Sequence, residues 1–172
     1  MTDKSQTLTR ISLEDLYLEL EKPLFNVVFR YVWDKEEAQD LVQESFVRLW
    51  EMRDRVEMAT VKPLVYKICL NLAASNLRRK KILTFLSLDK AAEEPVAKDY
   101  HNSEQKEEIQ LLRKTINKLP SKLKETILLT EFSKMSYDEI GKSLGIPAGT
   151  VGSRRNKALN ILKNKFKNIY NE

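Results

Sequence analysis

The chain has 172 residues, enough for one ordinary domain or two small ones, and its hydrophobic fraction of 42% suffices for packed cores. Glycine and proline are scarce and 32% of the residues are charged, so the composition favours an all-α fold. The formal net charge is +5, and the single cysteine excludes an intramolecular disulfide. With no apolar run typical of a signal peptide or a membrane span, we expect a cytoplasmic protein without direct membrane insertion.

Helical periodicity predicts the first two helices. The first begins near Leu13 with Ser12 as a candidate N-cap, and Pro23 inside it should kink the helix or split it in two. The second spans about residues 35–52 and is amphipathic, with a polar face opposite an apolar one. The predicted apolar face comprises Ala38, Leu41, Val42, Ser45, Phe46, Leu49 and Trp50.

A third helix is predicted after a charged loop at residues 53–59. Thr60 can cap it, Pro63 then falls in its first turn, and the helix should end in the basic run Arg78-Arg79-Lys80-Lys81. Beyond this run the periodicity is lost and the sequence becomes acidic, which is typical of a flexible connector.

These patterns predict two small helical domains, at residues 10–82 and 104–172, joined by a flexible acidic linker at residues 83–103. In the second domain a helix should span about residues 104–118, because the residue before Pro120 is disfavoured in the α region. Another helix should run from Ser121 to Phe132.

The last part of the chain has the order of a helix-turn-helix. Ser136 and Glu139 form a capping box for a short helix, Gly145 allows a tight turn, and a longer basic helix begins near Pro147. A small core should hold the two helices, formed by Ile140, Leu144, Ile146 and Val151. The outer face of the second helix would then carry Thr150, Ser153, Arg154 and Lys157. An αα-hairpin that binds nothing remains the alternative on this pattern alone.

Charge supports a nucleic-acid partner for the second domain. Residues 108–172 carry 13 Lys/Arg against 6 Asp/Glu, whereas residues 1–82 are nearly balanced at 14 against 13. A one-sided basic cluster neutralises phosphates, although cations near a helix C-terminus also complement the helix dipole.

Three segments then resemble one known family, the extracytoplasmic-function sigma factors of the sigma-70 family. Residues 136–154 resemble the promoter-reading domain of that family, in the pattern Ser136-Tyr137-x-Glu139-Ile140-Gly141-x-x-Leu144-Gly145-Ile146-Pro147-x-Gly149-Thr150-Val151-x-Ser153-Arg154. Residues 40–50 resemble the segment that docks on the clamp helices of RNA polymerase, and residues 71–80 resemble the segment that reads and opens the minus 10 element.

The resemblance implies roles for particular side chains. Polymerase binding would fall to Asp40, Gln43, Glu44 and Arg48, which offer directional charged groups on a rigid helix. DNA binding would fall to Asn71, Arg78, Arg79 and Lys80 at the minus 10 element and to Thr150, Ser153, Arg154 and Lys157 at the minus 35 element. The loop at residues 53–59 corresponds to the family's pocket for a flipped base, although it contains no aromatic residue.

Some residues depart from the family pattern. Ser75 stands where the family usually has Asp, Pro63-Leu64 lacks the usual tryptophan, and Gly152 replaces a common Lys. Arg155 occupies a position where a Leu often packs inward, so it should extend its charge to solvent or face the DNA. These departures affect the expected DNA sequence preference and leave the class unchanged.

The sequence indicates no enzyme. His101 lies alone in the acidic connector, and Cys69 on an apolar helix is typical of a small core residue. We therefore predict no catalytic residue, no metal and no cofactor. The expected partners are core RNA polymerase and promoter DNA, and the family also allows an anti-sigma factor. The alternatives are a helix-turn-helix regulator that binds DNA without polymerase, which usually needs a dimerisation surface, and an anti-sigma-like adaptor, which leaves the basic tail without a role.

Overall fold

A computed structural model describes residues 8–86 and 103–170 of the chain. Every regular element of these two segments is helical, which confirms the predicted all-α class. The α-helices are α1 (Arg10–Val32), α2 (Lys35–Glu51), α3 (Met58–Leu86), α4 (Ser103–Asn117), α5 (Ser121–Phe132), α6 (Tyr137–Leu144) and α7 (Ala148–Tyr170), with a single 3₁₀ turn at Arg53–Arg55. His101 lies outside the described residues.

Helix α1 is longer than the sequence predicts and is not split. It begins after Thr9, whose side chain accepts a hydrogen bond from the Ser12 amide, so Ser12 belongs to a capping box rather than being the N-cap itself. Pro23 lies inside one continuous α-helix. The proline removes a backbone hydrogen bond, but burial of Leu20 and Leu24 on either side offsets that cost, at about 1.5–3 kcal/mol for each side chain.

Helix α2 agrees with its predicted face. Asp34 caps it by accepting a hydrogen bond from the Glu37 amide at 2.9 Å. Of the apolar face that was predicted, all but Trp50 are buried, and Trp50 is half-buried at the end of the helix.

Helix α3 differs from the prediction at both ends. It begins at Met58, so Pro63 is in its second turn, and the Thr60 hydroxyl donates to the Glu57 carbonyl instead of capping the helix. It continues past Lys81 to Leu86, because no glycine or proline interrupts residues 82–86. The basic run is therefore inside the helix and not at its end.

The first three helices pack on one another through a shared apolar core. Leu24, Leu49 and Val65 are fully buried there, and Cys69 is buried beside them with its thiol 3.5 Å from the Leu41 carbonyl oxygen. Burial raises the pKa of the Cys69 thiol to about 12, so it remains a protonated core residue at neutral pH, as its position on an apolar helix predicts.

The second half of the chain is built around α5, which packs against α6 and α7. Leu128, Ile140, Val151 and Ala158 are almost completely buried in this part of the core. The predicted capping box is present, since Ser136 and Glu139 bond reciprocally at the start of α6. Both termini of α4 and α5 and the start of α6 lie within one residue of the predicted positions.

The two halves also contact each other directly, α1 against α5 and α3 against α6. The Lys124 ammonium donates to the Tyr31 carbonyl oxygen at 2.8 Å, and the Tyr66 hydroxyl donates to the Ser133 carbonyl oxygen at 3.1 Å. The linker pattern predicts tethered domains, and the structure adds an interface between them. We call these contacts the interdomain interface.

Candidate polymerase and promoter interfaces

The turn of the helix-turn-helix depends on two glycines. Gly145 ends α6 with φ of 67°, a left-handed conformation that glycine adopts without strain. The Ile146 amide then donates to the Gly141 carbonyl oxygen at 2.9 Å. A Cβ atom on Gly141 would lie 2.5 Å from the Ile146 carbonyl oxygen, so only glycine lets the turn approach α6 this closely.

The outer face of α7 carries the residues that the sequence places there. Thr150 and Arg154 are half-buried, and Ser153 and Lys157 are exposed. We call these four residues the reading face. The Ser153 hydroxyl donates to the Thr150 carbonyl oxygen at 3.1 Å, which leaves its oxygen lone pairs available as acceptors.

Arg154 lies close enough to Glu125 of α5 to affect its ionisation. Burial raises the pKa of the Glu125 carboxyl, and the hydrogen bond from Tyr31 and the positive charge of Arg154 oppose that rise. The Glu125 carboxylate therefore attracts the Arg154 guanidinium, and Arg154 remains half-exposed on the reading face.

Arg155 extends its charge to the surface, which is one of the two orientations expected from the sequence. Its Nε donates to the Glu131 carboxylate of α5 at 2.8 Å, and this contact raises the pKa of the guanidinium. A polar partner on the neighbouring helix thus replaces the inward leucine of the family pattern. Close by, the Tyr137 ring lies 3.4 Å from where a Cβ on Gly152 would stand, so a side chain at this position would contact the ring.

The polar face of α2 presents Asp40, Gln43, Glu44 and Arg48 to solvent, and we call these four residues the docking face. Arg48 Nε donates to the Glu44 carboxylate at 2.7 Å, with about half of each side chain exposed. Such an exposed pair contributes only about 0.3–0.5 kcal/mol to stability, so both groups can exchange partners at little cost in free energy. Val47 is 52% exposed between them and adds apolar surface.

The minus 10 residues of the sequence prediction lie along the exposed side of α3. Asn71, Arg78, Arg79 and Lys80 are all exposed and extend over about 14 Å of helix. Lys80 is not free, because its ammonium forms a 2.6 Å ion pair with Glu37 of α2. Arg79 and Lys80 share a cleft of about 660 Å³ with three members of the docking face, Asp40, Glu44 and Arg48. Ser75, the position where the family usually has Asp, lines the same cleft.

The loop after α2 is organised by Trp50. The Arg53 guanidinium lies 4.6 Å from the centre of the Trp50 ring and donates to the Trp50 carbonyl oxygen at 3.0 Å. The loop itself contains no aromatic residue, so this contact was not predicted. The i, i+3 spacing of tryptophan and arginine across the end of α2 was the available indication.

The structure therefore brings most of the docking face together with Arg79 and Lys80 around one cleft, whereas the reading face lies on a different helix in the other half. The side chains that join the halves, Lys124 and Tyr66, were not predicted from the sequence. One indication was present: α5 has apolar residues around its whole circumference, which is typical of a helix buried on more than one side.

Comparison with known proteins matches each half of the chain to a family model. Residues 16–82 match the family model described as sigma-70 region 2, and residues 109–162 match sigma-70 region 4. The chain is 26% identical to the ECF RNA polymerase sigma factor SigE of Mycolicibacterium smegmatis over 83% of its own length and 57% of that protein. It is 26% identical to the ECF RNA polymerase sigma factor SigW of Bacillus subtilis, covering 85% of this chain and 84% of that one.

Two solved structures share the fold. The sigma factor RpoE of Bartonella quintana, solved with the anti-sigma factor NepR, superposes with a TM-score of 0.69 at 24% identity and covers 90% of this chain and 96% of that one. CnrH in complex with the cytosolic domain of CnrY gives a TM-score of 0.68 at 18% identity, covering 92% and 90%.

The chain belongs to the extracytoplasmic-function group of the sigma-70 family. It is an RNA polymerase sigma factor that binds polymerase and promoter DNA in transcription initiation, and the family is not enzymatic. Because regions 2 and 4 occur in the family's order, the findings disfavour a self-sufficient regulator. Within the described segments, no helix is both long and apolar enough to cross a membrane.

Proposed function

We propose a division of labour between the two halves. Residues 10–82 dock on polymerase and open the minus 10 element, residues 104–172 read the minus 35 element, and residues 83–103 link them. The observation that carries the proposal is the separation of the two sets of exposed cations, one on α3 beside the docking face and one on α7 in the other half.

The docking face supplies the polymerase contact in this proposal. Its side chains alternate in charge on a rigid helix, so they can select a charged helix pair by complementarity. The Glu44–Arg48 pair opens at little cost, which leaves both groups available to the partner.

On the promoter, the two cation sets act differently. Arg78, Arg79 and Lys80 on α3 neutralise phosphates near the minus 10 element, and Asn71 offers an amide for a base edge. On α7, Arg154 approaches base edges in the major groove, because the first turns of a recognition helix enter the groove. Ser153 and Thr150 add short hydroxyl groups beside it.

The proposal includes a regulatory partner and a location. A protein of the same fold, RpoE, was solved with the anti-sigma factor NepR, and CnrH was solved with the cytosolic domain of CnrY. A partner of this kind for the present chain would act by covering the same two halves. Function with polymerase places the protein in the cytoplasm.

The test is reconstitution with core polymerase. The purified chain should co-elute with core enzyme, and transcription from a library of randomised promoters should recover two elements, one for each half. Failure to co-elute with core enzyme, or recovery of a minus 35 element alone, would contradict the assignment of residues 10–82.

A further inference from the structure

Helix α3 ends in a group of exposed apolar side chains. Phe85 is 83% exposed, and Ile82, Leu83 and Leu86 beside it are each more than half exposed. We call these four residues the apolar end of α3. Single exposed apolar residues are ordinary on a protein surface, whereas a contiguous group of them marks a surface that binds a partner.

The apolar end directly follows the basic run of the same helix. Residues 78–81 are exposed and come immediately before Ile82. Because α3 is continuous from Met58 to Leu86, the cations and the apolar side chains are held on one rigid axis. Nucleic acid offers a matching combination, with phosphates for the cations and base faces for an aromatic ring.

Helical register places part of the apolar end in line with residues proposed for the minus 10 element. At about 3.6 residues per turn, positions 71, 78, 82 and 85 lie within about 60° of one another around the helix axis. The line begins with the Asn71 amide, continues with the Arg78 guanidinium and ends with Ile82 and Phe85, and all four residues are exposed. We call these four residues the α3 stripe. Its length is about 21 Å at 1.5 Å per residue, which is about six nucleotides at 3.4 Å each.

The chemistry of the α3 stripe fits unpaired DNA better than a duplex or a membrane. In a duplex the base faces are stacked on one another, whereas an unpaired base exposes a face on which a phenylalanine ring can stack. A lipid surface would accept the apolar end and the cations, but it would bury the Asn71 amide without a hydrogen-bond partner. An unpaired strand can use all three kinds of group, since it offers base edges, phosphates and base faces.

We propose that the apolar end of α3 is a binding site for unpaired promoter bases, with the Phe85 ring as its stacking surface. A base that has lost its partner stacks on Phe85 beside Ile82, while Arg78 neutralises a phosphate of the same strand. Because the base face becomes available only after the strands separate, the site binds the opened promoter in preference to the duplex and shifts the opening equilibrium towards it. This inference rests on the proposed function, in which residues 10–82 open the minus 10 element.

The test uses holoenzyme assembled from the full-length chain and core polymerase, with two promoter probes. The minus 10 element is kept unpaired by mismatches in one probe and is fully paired in the other, which is measured in the cold so that it stays closed. Phe85→Ala removes the ring, Phe85→Leu keeps apolar bulk without an aromatic face, and Phe85→Trp keeps such a face. The matched control is Leu83→Ala, which truncates an exposed side chain of the same turn about 160° away around the helix.

We expect Phe85→Ala to weaken binding to the unpaired probe by about 5- to 150-fold, the range for the loss of one stack between a base and an aromatic ring. Binding to the paired probe should stay unchanged. Phe85→Leu should lose most of the same affinity, whereas Phe85→Trp should retain it and Leu83→Ala should behave as wild type. The salt dependence of Phe85→Ala should equal that of wild type, because the substitution removes no charge.

A scan with abasic probes identifies the base. Each unpaired probe lacks one base, and each is bound to wild-type holoenzyme and to the Phe85→Ala variant. Removal of the base that stacks on Phe85 should weaken wild-type binding and leave Phe85→Ala unaffected, since the two changes remove the same contact. That base should lie within about six nucleotides of the one that shows the same coupling to Asn71→Ala.

Several results would overturn the proposal. Equal weakening of both probes by Phe85→Ala, or the absence of coupling to any single base, would exclude a stacking site. A loss of affinity for core polymerase would assign the apolar end to the polymerase, and Phe85-dependent binding to vesicles of phosphatidylserine and phosphatidylcholine with unchanged DNA binding would assign it to a lipid surface. Wild-type holoenzyme without preference for the unpaired probe would contradict the proposed function itself. A wild-type preference that Phe85→Ala retains in full would contradict this inference alone.

Discussion

Lys80 and Glu37 form an ion pair of 2.6 Å that ties a proposed DNA contact on α3 to the N-terminal turn of α2. The Glu37 side chain is 12% exposed and that of Lys80 is 55% exposed, so the carboxylate is fixed and the ammonium can leave. If Lys80 contacts DNA as proposed, phosphate and Glu37 compete for its ammonium group.

This competition gives the first prediction. Glu37→Gln should strengthen holoenzyme binding to promoter DNA, since a released Lys80 can neutralise one more phosphate. The slope of the logarithm of the binding constant against the logarithm of the salt concentration should become steeper by up to about one. Binding across a salt series measures both effects. Glu36→Gln, an exposed neighbour, is the control, and equal effects of the two variants would show that general charge alone is responsible.

The second prediction concerns the docking face. Gln43→Ala combined with Arg48→Ala should weaken binding to core polymerase while the thermal midpoint stays nearly constant, because each exposed substitution changes stability by within about 0.5 kcal/mol. Co-elution and thermal unfolding measure the two quantities. A large loss of stability without a specific loss of polymerase binding would contradict the docking role.

The third prediction tests the turn between α6 and α7. Gly141→Ala should lower the free energy of unfolding by about 1–3 kcal/mol, because the new Cβ overlaps the Ile146 carbonyl oxygen. Gly149→Ala is the matched control, since no atom lies within 4 Å of its Cβ and alanine favours helix. Denaturant unfolding compares them, and a stable Gly141→Ala would mean that the turn relaxes freely.

The fourth prediction is a pH dependence of the interdomain interface. Burial chiefly, together with the nearby positive charges of Lys81 and Arg113, lowers the pKa of the Lys124 ammonium from 10.5 to about 8, and the negative charge of Glu125 opposes this. The charged form is therefore disfavoured while the two halves are in contact, and that penalty disappears as the pH rises from about 8 to 10.5. The interdomain interface should gain at most about 3 kcal/mol over this range.

The same measurement has an internal control. Tyr31, which also faces Lys124, has its pKa raised to about 12 by burial and stays neutral in this window. The radius of gyration of Tyr66→Phe, which loses the hydroxyl that bonds Ser133 but retains Lys124, should therefore fall as the pH rises, and that of Lys124→Glu should not. An opening equilibrium of Tyr66→Phe that is constant between pH 8 and 10.5 would contradict the buried position of the ammonium.

Local sequence patterns predicted most of the helices because their causes are local. The capping box at Ser136, the proline at position 120 and the glycine at position 145 each act within a few residues, and the structure confirms all three. Pro23 did not split α1, because the packing of Leu20 and Leu24 against other helices outweighs the missing hydrogen bond. That packing is tertiary and has no local pattern.

The interface contacts escaped prediction for a similar reason. Lys124 and Tyr31 are 93 positions apart, and a lysine side chain is ordinarily exposed. Likewise, Arg155 contacts Glu131 only because α7 packs on α5. The roles of the docking face and the reading face stay predictions.

The most direct test of promoter reading compares Arg154 with the cations further along α7. Arg154 lies in the second turn of α7, whereas Lys163 and Lys165 are exposed two to three turns later, where a straight helix has left the groove. Binding of holoenzyme to native and scrambled minus 35 promoters is measured across a salt series. Arg154→Ala should reduce the difference in binding free energy between the native and scrambled promoters by about 1–3 kcal/mol. Neutralising Lys163 and Lys165 should weaken binding to both promoters alike. It should also lower the slope of log binding constant against log salt concentration by up to about one for each phosphate that is no longer neutralised. Equal weakening of both promoters by Arg154→Ala would contradict base reading by this residue.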